Sequence, residues 1–284
     1  MCLKVLIAGC GDVGTRLALR LIDDGQEVWG LRRDVSSLPP AIHRIAAKLG
    51  SESGIPGLPV GLDDVVFCAA AGRREEGIYR NTYVDGLRNL LQQLKAQKQS
   101  VRRIIFTSST AVYHQAQGEW IDENSATEPT GFSGRILLEA ERLLANSGFA
   151  YSIVRFAGIY GPGREHFMNQ VRRGEVATCE SVPRYTNRIH SDDCAGLLRH
   201  ILTSPDPQKL YIGVDHDPAP RAEVARWLAT ALKVAMPLEE GANPSPPGQN
   251  KRCSNARIRA AGYRFLYPTY REGYGAVLQL RGSG

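Results

Sequence analysis

Glycines at positions 9, 11 and 14, in the run Val5-Leu6-Ile7-Ala8-Gly9-Cys10-Gly11-Asp12-Val13-Gly14, have the spacing of a turn that cradles a dinucleotide. Gly9 would permit the tight bend, Gly11 would let the backbone approach a pyrophosphate, and Gly14 would let a helix pack closely on its strand. The phosphates would sit at the helix N-terminus, opened by Asp12 and Val13, where free N–H groups and the dipole attract anions. The alternative is a plain strand–helix turn. Arg32 and Arg33 follow the next apolar segment, where an NAD site usually offers a carboxylate to the ribose hydroxyls. Two arginines there suit the additional 2′-phosphate of NADP, so NADP is the preferred cofactor. NAD stays open, because Asp34 comes next and the arginines could be surface charge.

Other candidates fall at the ends of apolar runs. Ala69, Ala70 and Ala71 close the run that begins at Asp63, and their small side chains leave room beside a cofactor. Ser108 and Ser109 follow the apolar residues 103–107 and would lie at a strand's carboxyl end, where ligands bind in open α/β sheets. Asn81 opens a helical pattern and is either a functional contact or a helix cap. Of the groups that could carry a proton, His114 titrates near neutral pH when unperturbed, and Tyr113, Tyr160 and His190 lie near expected strand ends; each could equally be structural. Arg155, Arg164 and Arg188 could hold a phosphate or carboxylate, or serve packing and the surface. The six histidines form no His-Glu-x-x-His or close cluster, and Asp215-His216-Asp217-Pro218 reads as a turn, so no metal is expected. Gly131-Phe132-Ser133-Gly134-Arg135 misses the second glycine of a nucleophile elbow, which argues against a serine hydrolase.

The elements that must position these residues alternate. Apolar strands are expected at residues 5–8, 27–31, 63–70, 103–107, 151–157 and 210–214, and helices after Gly14, from Asn81, over 136–144, after Asp193 and over 220–232. That order predicts an α/β protein with a doubly wound parallel sheet. Residues 1–157, completed by about 188–215, would form the nucleotide-binding domain, and 158–187 with 216–284 a small lobe; 237–248 reads as a loop and the remainder of the chain as a short tail. The 284 residues are 43% hydrophobic and 23% charged, as in ordinary globular chains, and no apolar run reaches membrane length. Without an apolar signal-peptide core at the N-terminus, the expectation is cytoplasmic. Cys2, Cys10, Cys68, Cys179, Cys194 and Cys253 are scattered, which predicts free thiols. The formal charge of +6 comes from isolated basic pairs, so neither nucleic acid nor membrane is an expected partner.

Taken together, the stretches 9–14, 65–71, 107–113, 155–163 (Arg-Phe-Ala-Gly-Ile-Tyr-Gly-Pro-Gly) and 188–195 (Arg-Ile-His-Ser-Asp-Asp-Cys-Ala), with Asn81 in its helix, resemble the extended short-chain dehydrogenase/reductases, the NAD(P)-dependent epimerase/dehydratase group, over essentially the whole chain. The resemblance implies a Rossmann-type sheet with a small C-terminal substrate lobe, and hydride transfer between a nicotinamide and a substrate carbon bearing oxygen. By position Ser109 matches the family's Ser/Thr that holds that oxygen, and Tyr113 is a shared family position. The family's Tyr-x-x-x-Lys pair moves the proton and holds the nicotinamide ribose. Here Gly131 stands in place of the tyrosine and Arg135 in place of the lysine. Arginine can supply charge and hydrogen bonds to the ribose, but glycine has no proton to give. The loss resembles an atypical subgroup, a likeness strengthened by the C-terminal run Lys251-Arg252-Cys253-Ser254-Asn255-Ala256-Arg257. Lys48 stands near where the family has an acidic residue at the adenine. Two readings stay open. One is an epimerase, dehydratase or reductase with another proton carrier, acting on a sugar nucleotide or a small carbonyl or hydroxyl compound, anionic or neutral. The other is a non-catalytic NADP(H) sensor. Family members often dimerise through a helix pair, so a homodimer is a further expectation.

Overall fold

The structure is a computed structural model that describes residues 2–51, 54–178, 183–237 and 250–282. Most of the expected loop 237–248, and Cys179, lie outside the described residues. The chain forms two compact units: Met1–Val112, Thr127–Arg155 and Ala195–Tyr211 make the first, and Tyr113–Ala126, Phe156–Cys194 and Ile212–Gly284 the second. This division differs from the one read in the sequence, in that residues 113–126, 156–157, 188–194 and 212–215 go with the second unit.

Strand β1 (Lys4–Ala8) leads through the glycine turn into helix α1 (Asp12–Asp23), which buries Val13, Leu17, Ala18 and Leu21 and stops before Gly25, at φ 78°. Strands β2 (Glu27–Arg32), β3 (His43–Ala46) and β4 (Asp64–Phe67) follow. After β4 the helix begins earlier than the apolar pattern indicates: α2 (Glu76–Tyr79) passes through a π-helical turn, Arg80–Asp85, into α3 (Gly86–Ala96). Next come β5 (Arg103–Ser109), a 3₁₀ turn (Thr110–Val112), β6 (Glu119–Ile121), α4 (Phe132–Ala145), β7 (Tyr151–Phe156) and β8 (Gly158–Tyr160). Helix α5 (His166–Arg172), β9 (Arg188–His190), α6 (Ser191–Thr203), β10 (Leu210–Gly213) and α7 (Arg221–Leu232) complete the middle of the chain. The expected tail instead carries β11 (Lys251–Cys253), α8 (Ala256–Ala260) and α9 (Tyr270–Gly282).

Seven strands make one sheet in the order β10-β7-β5-β4-β1-β2-β3. Strand β1 pairs in parallel with β2 on one side and with β4 on the other, Ile7 lying opposite both Gly30 and Val66. Strand β4 is buried along its whole length, as expected for a parallel strand covered on both faces. Chain order runs outward from β1 in one direction to β3 and in the other from β4 to β10. The reversal lies between β1 and β4, and the crevice beyond the carboxyl ends of those two strands is where such sheets bind ligands. In the second unit, β6 pairs in parallel with β11, β8 with β9, and α5, α7 and α9 share an apolar cluster that includes Met168, Val224, Leu228 and Val277.

Candidate cofactor and active site

The glycine turn hangs from the end of β2, because the N–H groups of Gly9 and Cys10 both donate to the Leu31 carbonyl, each at 2.9 Å. The three glycines have distinct physical reasons. Gly9 sits at φ 93°, and a Cβ there would stand 2.3 Å from the Ala69 Cα. A Cβ on Gly14 would stand 3.0 Å from the Ile7 side chain and 3.2 Å from the Gly9 carbonyl, so that position seats α1 on β1. A Cβ on Gly11 would meet only the Gly9 carbonyl, at 4.0 Å, so its outer side is open. Gly11 is also the N-cap of α1 and supplies no side chain to its first N–H groups, and the Asp12 carboxylate accepts from Arg16 instead. This is a cradle a pyrophosphate fits: open backbone at Gly11 and the N-terminus of a helix with its dipole. Burial raises the Cys10 thiol above its ordinary value, as befits a packing group.

Around the turn, Arg32 donates to the Cys10 carbonyl at 3.4 Å and so braces the turn. Arg33 is exposed, pairs with no described residue, and lies 3.8 Å from where a side chain on Gly72 would begin. Asp34 is engaged in its own turn, accepting from the Ser36 N–H at 2.9 Å and from its hydroxyl at 2.6 Å, and those bonds hold its carboxyl below the ordinary range. Lys48 is exposed. Ala69 is buried against Gly9, Ala70 is exposed, and Ala71 donates its N–H to the Tyr83 hydroxyl at 3.3 Å. Asn81 caps no helix. It lies inside the π-helical turn and donates to the Gly50 carbonyl at 2.9 Å, where a Cβ on Gly50 would collide with it.

At the end of β5 the two serines part. The Ser108 hydroxyl is buried and donates to Glu141 at 2.6 Å, and Glu141 in turn is paired with Arg155 at 2.6 Å, both nearly fully buried. The candidate anion-binding Arg155 is thus committed to a carboxylate. Ser109 is half-buried, and its oxygen accepts from the Ala111 N–H at 3.1 Å, capping the 3₁₀ turn. The start of α4 lies against that turn: a Cβ on Gly134 would stand 2.3 Å from the Ala111 carbonyl. Gly131 and Arg135 are the N-cap and first-turn residues of the same helix, joined by a backbone bond of 3.2 Å. Arg135 is exposed and donates to the Thr130 carbonyl. Gly131 is exposed with unstrained backbone, φ −83° and ψ 148°, and a Cβ there would meet no described atom within 4 Å beyond its chain neighbours.

The remaining candidates belong to the second unit. Tyr113 is completely buried, and its carbonyl accepts from Lys251 Nζ at 3.2 Å; burial lowers the affinity of that lysine for its proton. His114 is half-buried. Tyr160 and His190 are core groups: the His190 ring lies 4.0 Å from Tyr267, with Tyr160 edge-on at 5.4 Å, and burial pushes the Tyr160 phenol far up. Arg188 is buried and stacks over Tyr270, whereas Arg164 is exposed. The same unit holds Asp215, which the sequence shows only as part of a turn. Burial pushes its carboxyl up to about 8 against the lowering effect of Arg188. The folded unit therefore keeps a proton that an unfolded chain gives up near pH 4, so stability is full below about pH 4 and is lost as pH rises toward 8. Thermal melts across that window should show a falling Tm, and Asp215→Asn should flatten the slope; an unchanged slope would refute the assignment.

Among the described residues, no group of three or more His, Cys, Asp or Glu is placed to hold a metal ion, and no helix is long and apolar enough to cross a membrane. A family described as NAD(P)H-binding matches residues 9–205. A Methylobacillus flagellatus structure assigned to the NAD-dependent epimerase/dehydratases superposes with a TM-score of 0.83 at 37% identity, covering 99% of this chain and 100% of that one. Protein YeeZ of Escherichia coli K12 is 28% identical over 275 residues, 93% of this chain and 96% of that protein. N-acetyl-alpha-D-glucosaminyl-diphospho-ditrans,octacis-undecaprenol 4-epimerase of Escherichia coli O157:H7 is 33% identical over 211 residues, 70% of this chain and 62% of that protein.

Proposed function

The chain belongs to the NAD(P)H-binding family as an atypical extended short-chain dehydrogenase/reductase of the epimerase/dehydratase type, and from that premise we propose that it is an oxidoreductase or epimerase working on bound NADP(H). The observation that carries this reading is the turn at Gly9, Gly11 and Gly14, closed toward Ala69 and open outward at Gly11. Asp12 and Val13 would hold the pyrophosphate through backbone N–H groups, Gly11, whose own N–H donates to the Gly9 carbonyl, would leave room for its approach, and Ala69, Ala70 and Ala71 would flank the nucleotide. The unpaired Arg33, supported by Arg32, favours a 2′-phosphate, and Asp34 is occupied by Ser36. Bound cofactor supplies a hydride donor or acceptor. Ser109 would hold the substrate oxygen and Arg135 would turn from Thr130 to the ribose. Asn81 and Ser108 act on the cofactor indirectly, by fixing the Gly50 loop and the end of β5. The substrate class that fits is a sugar nucleotide or a small carbonyl or hydroxyl compound, a reading supported by a relative that is a 4-epimerase of an N-acetylglucosaminyl-diphospho-undecaprenol.

A second reading, a non-catalytic NADP(H) sensor, is favoured by one observation: the tyrosine's place is taken by Gly131. Titration with NADPH and NADH, followed by a panel of sugar nucleotides and small carbonyls, separates the two. NADPH should bind about tenfold tighter than NADH, and Arg32→Ala with Arg33→Ala should remove that preference. Equal affinities in the unaltered protein would end the NADP assignment. Turnover reduced about a hundredfold or more by Ser109→Ala marks an enzyme. Tight binding without turnover on any compound marks a sensor.

A further inference from the structure

The helix after β4 carries an irregularity at a telling place. Six residues, Arg80–Asp85, are π-helical, and such turns commonly aim a side chain at a functional site. Here the turn carries Tyr83, whose hydroxyl accepts the Ala71 N–H at 3.3 Å while no described residue accepts the proton of that hydroxyl. Ala71 lies just past the carboxyl end of β4, and Gly9 packs on Ala69 at the end of β1, so the phenol stands beside the crevice between β1 and β4. Tyr83 is half-buried, whereas Tyr113, Tyr160, Tyr211, Tyr270 and Tyr274 are buried. An aromatic chain links it to the place of the lost tyrosine: the Tyr83 and Tyr79 rings lie 5.3 Å apart, and Tyr79 meets Phe132 edge-on at 5.4 Å. Phe132 directly follows Gly131, whose side is open.

We propose that Tyr83, held by the Ala71 N–H at the mouth of the β1–β4 crevice, is the proton carrier of this site and replaces the tyrosine absent at position 131. The assignment rests on the function proposed above. In the reducing direction, hydride from the reduced nicotinamide cofactor forms the new C–H bond at a carbonyl carbon, and the π pair of the C=O bond moves onto oxygen. The Tyr83 Oη–H bond breaks as its proton passes to that oxygen, and the tyrosinate recovers a proton from solvent. The cofactor is oxidised and the substrate reduced. Burial raises the Tyr83 phenol above the ordinary tyrosine range, with Tyr79 and Cys68 as the facing titratable groups. A phenol kept protonated in this way has a proton to give, but burial makes it a weaker acid, so the assignment rests on its position and not on its acidity.

Near-ultraviolet titration of tyrosinate in the full chain, free and saturated with NADP⁺ or NADPH, tests the assignment. The difference between unaltered protein and Tyr83→Phe should report one phenol whose midpoint falls by about one unit with NADP⁺, whose ring carries positive charge, and does not fall with NADPH. Tyr79→Phe should retain that signal, and Tyr83→Phe should still bind NADPH. Nitration of the unaltered protein by tetranitromethane, located by mass spectrometry, gives a readout independent of any variant: Tyr83 should be modified in the free protein and protected by NADPH. A chain that binds both cofactors but shows neither shift nor protection overturns the role of Tyr83 alone. A chain that binds neither cofactor overturns the functional reading, and this assignment with it.

Discussion

Gly9→Ala is expected to abolish NADPH binding and to cost the folded protein about 2–5 kcal/mol, the combined scale of core overpacking and a left-handed backbone bearing a side chain. The added carbon would stand 2.3 Å from the Ala69 Cα and 2.4 Å from its nitrogen, and backbone cannot swing aside as a flexible side chain can. Either β4 shifts away from β1 or the turn opens, and both destroy the crevice. Gly11→Ala is the informative contrast. Its carbon has room in the free protein, so the fold should survive while a pyrophosphate loses its close approach. Urea denaturation with NADPH titration on both variants distinguishes the two roles. Near-normal stability and binding in Gly9→Ala would show that the turn does not have the geometry described.

The second large effect is expected at Glu141. Glu141→Ala should destabilise the first unit by about 3–5 kcal/mol, because it strands the Arg155 guanidinium in a buried place. Ser108 loses the acceptor of its 2.6 Å bond in the same step. Replacing both members of the pair, as Glu141→Leu with Arg155→Met, should recover most of the loss, since the unpaired charge goes with its partner. Equilibrium denaturation measures both variants. A loss below about 1 kcal/mol in Glu141→Ala would place the pair among solvated surface ion pairs.

What can be read from the chain and what cannot divides along sequence distance. The glycine turn, the buried strands and the apolar faces of α1, α3 and α4 are patterns contained within a dozen residues, and spacing alone exposes them. Asn81 is ambiguous between cap and contact because a π-helical turn leaves no local pattern, and Tyr83 is hidden in the sequence for the same reason. Glu141 lies within the apolar face of α4, between Leu137 and Leu144, and only its partners on the neighbouring β5 and β7 explain a buried carboxylate there. Strands β6, β8, β9 and β11 each have three residues, too few for alternation to register. Their identity resides in partners far along the chain. Gly131, at the position the resemblance matches to the family's tyrosine, is in contrast read from the sequence alone, because a glycine carries no hydroxyl in any surroundings.

The pairing of β11 with β6 sets an order of events during synthesis. Lys251 lies opposite Glu119 and Cys253 opposite Ile121, so the small sheet of the second unit cannot close until residues 251–253 have left the ribosome. The β1–α1–β2 segment with its glycine turn, by comparison, is complete within the first 32 residues. The nascent chain therefore exposes residues 113–126 for the time taken to translate about 130 more, roughly 6–26 s at cellular rates. Over that interval the β6 edge is without its β11 partner, an unpaired edge of the kind that can pair with another chain.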